Sequence, residues 1–336
     1  MDLEIRRATA SDREAIRELA LNHRYAEYRC YKYFGHDFAS DYLARETEKF
    51  IAGEDLNAYF ATAGGQPVGF VSAARAEWDS LHFGVEMGSL VHLFTAGSKK
   101  HRAAILDRLL EAVEAEARER GLVHLAAKID IEDIPGMTAV QSRRYRLMDT
   151  LVTYINDSDR PRPKLPKKDP GFVGTTYHKD QFDQIRFSEV EHIVKFMRDA
   201  YRIDRYHTDT RLPAERSHEV YVEWFKNIFD GSWADGVHVV RKDGQVVAFC
   251  SSGQYQHELE KLYGAKIAIR GLAGVIPEGS GAYSLVTEMG ATQCPMGSRL
   301  QEYDTQIQNM AVINVWIRHG LPFMRGRYTC HRWLDE

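Results

Sequence analysis

The chain has almost nothing from which a covalent framework or a metal centre could be built. Its four cysteines, Cys30, Cys250, Cys294 and Cys330, are scattered over 336 residues with no CxxC pair. That excludes a disulfide-stapled scaffold and fits free thiols in a reducing compartment. No Cys/His/Asp set has metal-ligand spacing, so no metal is expected. No apolar run approaches the roughly 18–20 residues of a membrane span. The opening MDLEIRRATASD does not read as a signal peptide. A charge excess is also missing: 44 Lys and Arg meet 48 Asp and Glu, for a net charge of −4. Nothing there argues for a nucleic-acid surface. The longest basic run, Arg160 to Lys168, is proline-rich and reads as a linker rather than a phosphate patch. No G-x-S-x-G elbow supports a serine nucleophile. What remains is a soluble, cytoplasmic chain, 44% apolar and long enough for two domains.

What is present is one pattern written twice. Residues Tyr59 to Ala74 (YFATAGGQPVGFVSAA) and Val239 to Gly253 (VVRKDGQVVAFCSSG) each place an apolar stretch, a Gly-containing turn and a second apolar strand in order. This is the signature of a β-hairpin. Gly65-Gln66 and Gly244-Gln245 are 179 residues apart, and Lys128-Ile129-Asp130 and Gln306-Ile307-Gln308 are 178 apart. A hairpin, a strand, a helix, another strand and a final helix recur in the same sequence. Two copies of one α/β domain follow, spanning 1–156 and 172–336 and joined by the proline-rich linker 157–171.

Within the first copy, Ser11 with Glu14 predicts a capping box opening a helix. The stretch from Arg24 to Phe50 is charged, tyrosine-rich and helical, interrupted near Gly35-His36-Asp37. Ile105, Leu109, Leu110 and Val113 recur at helical spacing over Ala103 to Arg120, with Gly121 as the stop. In the second copy, Ala265 to Ile276 reads as a strand, Ser284 to Gln293 as a helix and Leu300 to Ile307 as a strand. Met310 to His319 is a helix, and Phe323 to Trp333 a pair of short strands.

The chemistry-bearing stretch lies in the second copy. A strand ends at Val275-Ile276, and Gly279-Ser280-Gly281 then leads into a helix. A glycine turn opening a helix brings backbone N–H groups and the helix dipole to one point, which favours an anion. The next strand ends in polar residues, Asp304 to Asn309, where ligands of open α/β sheets bind. Asn309 is expected to cap the following helix in any case.

GLAGVIPEGSGAY, DTQIQNMAVINVWIRHGL and RYTCHRWL together resemble the GCN5-related N-acyltransferase (GNAT) superfamily. The resemblance implies two tandem GNAT-like domains, each a mixed twisted sheet flanked by helices, with an acyl-CoA site in the second. Gly279, Ser280, Gly281, Ala282 and Tyr283 would cradle the pyrophosphate of acetyl-CoA. Ala273 and Val275 would meet the pantetheine through their backbone, and Asn309 would line the distal arm. Trp78-Asp79-Ser80 with Phe83-Gly84, Asp149 to Val152, and Arg202 to Arg211 (RIDRYHTDTR) are similar to a narrower branch, the N-acyltransferases of nucleotide-linked amino sugars. The chain departs from the pattern in three places. The glycine turn is short and has no preceding basic residue. Trp316 stands where many members carry a tyrosine acid, and an indole cannot protonate a leaving thiolate. The first copy has Ser98-Lys99-Lys100-His101-Arg102 in place of a glycine turn, which marks it as a non-catalytic partner.

The resulting expectation is an acyl-CoA-dependent N-acyltransferase acting on a small amine, with a sugar nucleotide as the acceptor that the resemblance implies. His257 is a candidate base because a neutral imidazole can deprotonate an ammonium near neutral pH. Tyr283 and Tyr328 are candidate acids, and Asp304 lies beside the expected acyl group. Arg202, Arg205, His207 and Asp209 are candidates for a sugar diphosphate, since guanidinium forks match phosphate oxygens. Trp78 is a candidate platform, though a tryptophan in such a place is more often a core or interdomain aromatic. A homodimer is allowed. An aminoacyl-tRNA-dependent ligase and a non-catalytic binding module remain as alternatives.

Overall fold

The computed structural model describes residues 2–35, 37–52, 57–96, 99–165, 169–255, 257–292 and 298–336, with only the backbone at 52, 57, 99, 100, 254, 255, 257 and 270. The first half runs β1 (Leu3–Arg7), α1 (Arg13–Leu21), α2 (Phe38–Ala52), β2 (Asn57–Ala63), β3 (Gln66–Arg75), α3 (Glu77–Phe83), β4 (Met87–Thr95), α4 (Lys99–Glu119), β5 (His124–Asp130), α5 (Ile134–Ser142) and β6 (Arg146–Asp157). The second runs β7 (Phe172–His178), α6 (Phe187–Ala200), α7 (Arg205–Thr208), α8 (Ala214–Phe229), β8 (Ala234–Lys242), β9 (Gln245–Tyr255) and α9 (His257–Tyr263). It closes with β10 (Ile267–Val275), α10 (Ala282–Thr292), β11 (Leu300–Gln306), α11 (Met310–Arg318) and β12 (Phe323–Trp333). No helix among the described residues is long and apolar enough to cross a membrane.

By contact density the chain forms two compact units, one of Met1–Thr150 with Arg325–Glu336, the other of Leu151–Met324. Each unit holds a mixed sheet with the same plan. In unit 1 the order is β1-β2-β3-β4-β5-β12, and in unit 2 it is β7-β8-β9-β10-β11-β6. The first four strands pair antiparallel, the fourth and fifth pair parallel, and the sixth returns antiparallel. The sequence places Phe323 to Trp333 with the second domain as two short strands. Instead it forms one strand, and its outer part, Arg327 to Trp333, pairs with Asp130 to His124 in unit 1. Likewise, Leu151 to Asp157 pairs with Gln306 to Leu300 in unit 2.

The two hairpins use the same turn. Gly64 and Gly65 have φ of 55° and 77°, and Asp243 and Gly244 have 50° and 81°. Positive φ at both central residues is the type I′ turn, whose twist matches that of the flanking strands. The capping box sits two residues earlier than Ser11. Asp12 accepts from the Thr9 N–H at 2.8 Å, and Arg6 grips the same carboxylate at 2.6 and 2.7 Å. The fixed carboxylate is held down to about pH 2, first by the Arg6 hydrogen bonds, against the cost of its burial.

The α4 stripe packs Ile105, Leu106, Leu109, Leu110 and Val113 onto the unit 1 sheet, and all five are buried. Each such side chain contributes roughly 1.5–3 kcal/mol. A Cβ on Gly69 would meet the Leu109 side chain at 2.8 Å, so glycine permits the close helix-on-sheet approach. In unit 2, Val190, Ile193 and Val194 of α6 and Phe225 and Ile228 of α8 pack with the central strands, together with Ala282, Val286 and Met289 of α10. Cys330 and Leu334, from the end of the chain, belong to the unit 1 core.

Truncating the chain after Met324 should therefore unfold unit 1 in preference to unit 2. The expected outcome is loss of amide-exchange protection at Ala126 to Asp130, with protection retained at Val237 to Phe249. Undiminished protection in β5 would show that the terminal strand is dispensable.

Candidate functional site

In each unit the parallel strands register over three residue pairs and then part. Met87, Gly88 and Ser89 face His124, Leu125 and Ala126. Ile267, Ala268 and Ile269 face Leu300, Gln301 and Glu302. Both departing strands also carry an irregularity against their antiparallel neighbour. Ser72 and Ala73 face His92 and Leu90, which leaves Val91 extra. Arg270 and Ala273 face Ser252 and Cys250, which leaves an extra residue in β10 at Gly271-Leu272. A bulge bends its strand and re-aims backbone groups, and such features gather next to binding sites. A cavity lies at each splay.

The unit 2 cavity has a volume of about 90 Å³. It brings together four residues singled out from the sequence: Ala273, Tyr283, Asp304 and Asn309. Tyr283, at the start of α10, is half-buried. Asp304 is exposed on β11 and accepts a hydrogen bond from the Thr153 hydroxyl. Asn309 stands at the helix start, but it does not cap α11; its Nδ2 donates to Thr305 Oγ1 at 3.0 Å. Tyr201, Tyr221 and Trp316 complete the wall. Tyr201 donates to Gln306 Oε1. Trp316 is buried against Tyr154 and Tyr303, and its Nε1 has no partner among the described residues.

The glycine turn is only partly available to a ligand. The Gly279 N–H bonds Ile276 O at 2.9 Å and the Ser280 N–H bonds Pro277 O at 3.1 Å, so in this conformation both donors are committed within the turn. Gly279 is glycine for packing, since a Cβ there would meet Val247 O at 2.7 Å. Gly281 has φ of 91°, with its nearest neighbour at 3.7 Å, so it is the position at which backbone can be approached. Ala282 and Val275 face the core cluster of unit 2.

The remaining sequence candidates are dispersed. Tyr328 lies in unit 1, opposite Ile129 and half-buried against that core. Trp78, also in unit 1, stacks on His82 with centroids 4.8 Å apart. The side chain of His257 lies outside the described residues. Arg202 is exposed. Arg205 stacks on the Tyr206 ring at 4.3 Å. Asp209 accepts from the Arg211 N–H at 3.1 Å.

Of the His207 segment, the sequence reading missed the residue that organises it. Asp204 caps α7 through the Tyr206 and His207 N–H groups, and its Oδ2 lies 2.7 Å from His207 Nδ1. The same oxygen accepts from the Tyr221 hydroxyl at 2.9 Å. Burial raises the Asp204 pKa, but the His207 and Tyr221 bonds outweigh it and hold the carboxyl below its usual value. Burial, and then the Asp204 charge, push the Tyr221 phenol well up. The His207 Nε2 is buried with no partner among the described residues. An i, i+3 Asp-His pair in RIDRYHTDTR was the available signal.

The unit 1 cavity is larger, at about 340 Å³, with an adjoining space of about 210 Å³. The segment from His23 to Tyr31, between α1 and α2, lines it together with Tyr42, Leu43 and Glu46 of α2, residues of β4, β5 and β12, and Asp133. Glu27 lies deep here; burial raises its pKa, but Arg325, Arg327 and Lys128 more than offset this and keep it ionised. Arg29 grips Asp130 and Glu132. Burial lowers the His23 pKa to about 3, helped by Arg102 and Arg29, and lowers that of His92 to about 4. His92 Nδ1 lies 2.7 Å from Ser72 Oγ.

These two histidines are neutral in the fold, whereas an unfolded chain protonates them near pH 6.5. Below about pH 6.5 the unfolded state binds more protons, so stability falls as pH drops toward 4. For the buried His92 the loss reaches about 2 kcal/mol at pH 5. His92→Gln keeps a polar partner for Ser72 and should flatten the dependence. Urea midpoints at pH 7 and pH 5 check this; an equal drop in both proteins would show that His92 does not titrate on unfolding.

No protein-family model matches the sequence, and no curated protein matches it. Solved structures do. A GCN5-related N-acetyltransferase from Sphaerobacter thermophilus matches 99% of this chain and 96% of its own, at TM-score 0.58 and 14% identity. A tandem GNAT protein from the clavulanic acid biosynthesis pathway matches 99% and 98%, at TM-score 0.47 and 16% identity. At these identities the likeness is one of fold, carried by the first: two α/β units with mixed twisted sheets flanked by helices.

Proposed function

We propose that unit 2 transfers an acyl group from acyl-CoA to the amine of a small polar acceptor, with a nucleotide-linked amino sugar as its class. The observation that carries this reading is the cavity at the β10–β11 splay, where Ala273, Tyr283, Asp304 and Asn309 meet. The N-acetyltransferase name of the Sphaerobacter structure supports it. The residues present fit the acyl end of such a substrate. The bulge at Gly271-Leu272 re-aims backbone at the cavity wall, and Gly281 leaves room for close approach. The space is small and suits an acyl head, and no basic side chain precedes the glycines.

When bound, an acyl-CoA supplies an activated thioester carbonyl. The chain's own part is to bind, orient and move protons. In this reading backbone N–H groups at the bulge meet the carbonyl oxygen as it gains charge. The Asp304 carboxylate takes the proton of the incoming ammonium, so that a neutral amine attacks. The Tyr283 hydroxyl gives its proton to the departing sulfur and recovers one from the nitrogen that has been acylated, a relay Trp316 cannot perform because its ring offers no transferable proton. Arg205 is the residue of this segment that meets the acceptor's diphosphate in this reading, while the His207 imidazole is buried with its Nδ1 held by Asp204.

Native mass spectrometry should find one acetyl-CoA per chain; two equivalent sites, or none, would overturn the assignment to unit 2. Gly281→Val should weaken acetyl-CoA binding at least tenfold, about 1.4 kcal/mol, with calorimetry as the measurement and thermal melting as the control for folding. Tyr283→Phe should lower kcat at least roughly tenfold with little change in the KM for acetyl-CoA. An unchanged kcat would remove Tyr283 from the acid role. Arg205→Ala should raise the KM for a dTDP- or UDP-linked amino sugar alone. Preference for a free amino sugar or a polyamine over the nucleotide-linked sugar would exclude the diphosphate role.

A further inference from the structure

The segment Ser98-Lys99-Lys100-His101-Arg102 of unit 1 carries no glycine, yet the strand splay of this unit holds the larger of the two cavities. At about 340 Å³ it falls at the small end of ligand pockets. Its polar groups are unevenly satisfied. The carboxylates that line it are spoken for: Glu27 by Arg325 at 2.6 Å, Asp130 by Arg29, and Glu46 by Lys49 at 2.6 Å. Asp133 caps α5 by accepting from the Gly136 N–H at 3.0 Å. The incompletely satisfied group is a cation. Arg327 reaches Glu27 only at 3.5 Å, and its Nε is buried with no partner among the described residues. A guanidinium has five N–H donors in a fixed fork and no way to shed its charge. The Arg327 Nε is closed to solvent, so a molecule in the cavity meets Arg327 through its terminal nitrogens, of which Nη1 makes only the long bond to Glu27 while the side chain stays 23% exposed.

The shape of the site agrees. Glu27 is set deep in the unit, yet 37% of its side chain is exposed, and it lines the cavity. The interior space is therefore open to solvent-sized molecules beside the arginines. Arg325 lies over the Tyr28 ring at 5.4 Å and Arg29 over the Tyr25 ring at 5.7 Å, which fixes both guanidinium planes. The neutral His23 and His92 add no second charge at the far side.

We propose that the unit 1 cavity binds a small oxyanion-bearing molecule, a carboxylate or a phosphate, whose charged end docks on Arg327 beside Arg325 and whose body lies against Tyr25 and Tyr28. The site is independent of the acyl-transfer reading of unit 2. Arg327 is matched to a planar or tetrahedral oxyanion because a fork donates two parallel hydrogen bonds.

Cys30 is exposed and lines the same cavity, which supplies a reporter. The full chain is titrated with succinate, inorganic phosphate or glycerol up to about 10 mM, a range that detects weak sites. Melting temperature and the rate of Cys30 alkylation by iodoacetamide, resolved by peptide mass, are followed. An oxyanion should raise the melting temperature and slow Cys30 alkylation roughly fivefold or more, while glycerol does neither. The succinate and phosphate arms separate a carboxylate from a phosphate ligand. Arg327→Gln should abolish the protection, Arg327→Lys should weaken it, and the surface variant Arg75→Gln should leave it intact. If Arg327→Gln fails to fold, Arg327→Lys decides, because it keeps the charge and loses the fork. No protection of Cys30 by either anion, or undiminished protection in the arginine variants, overturns the proposal.

Discussion

The constraint on which both units depend is that their parallel strands cannot stay paired. β4 and β5 hold register for three residues, as do β10 and β11, and an irregularity then bends the departing strand away from the ladder. Backbone left unpaired inside a sheet is expensive unless something satisfies it. In each unit the splay is therefore a place where side chains, a covering segment or a ligand must complete the bonding. The helices that flank the sheets, and the glycines that let them approach, hold the two strand ends at that separation.

The two copies solve this differently. In unit 2 the splay is narrowed by aromatic side chains, with Trp316 packed edge to face on Tyr303 and tilted against Tyr154 behind it, leaving a narrow space beside Tyr283 and Asp304. In unit 1 it is filled by charge. Glu27 stays ionised at depth because Arg325 and Arg327 from the chain's last strand, with Lys128, stand against it. A buried ion group of this kind contributes little net stability but penalises the removal of any one partner. It ties the end of the chain to a loop almost 300 residues earlier.

Much of the architecture was legible in the sequence because it rests on local rules. The two hairpins are legible in Gly64-Gly65 and Asp243-Gly244, since only such pairs adopt two consecutive positive φ angles at low cost. The α4 stripe is legible in the spacing of Ile105, Leu109 and Val113. Ser11 and Thr9 are chemically alike as caps, and Arg6, holding Asp12 from β1, selects Thr9. Asn309 looked like a cap, but Thr305 offered its side chain a partner first.

Two copies of one α/β pattern and a polar strand end running from Asp304 to Asn309 are legible from local rules, because hairpin turns and helix starts are encoded within a few residues; Ala273 and Tyr283 are tied to that strand end by the family resemblance and not by any local pattern. The tertiary structure decided which strand completes which sheet, since β12 pairs with β5 and β6 with β11 through backbone hydrogen bonds that carry no side-chain signature. It also decided that unit 1, and not the unit carrying Gly279-Ser280-Gly281, holds the larger cavity. That outcome depends on Glu27, Arg325 and Arg327 meeting across nearly the whole length of the chain, and Coulomb attraction between residues so far apart in sequence leaves no periodicity to read.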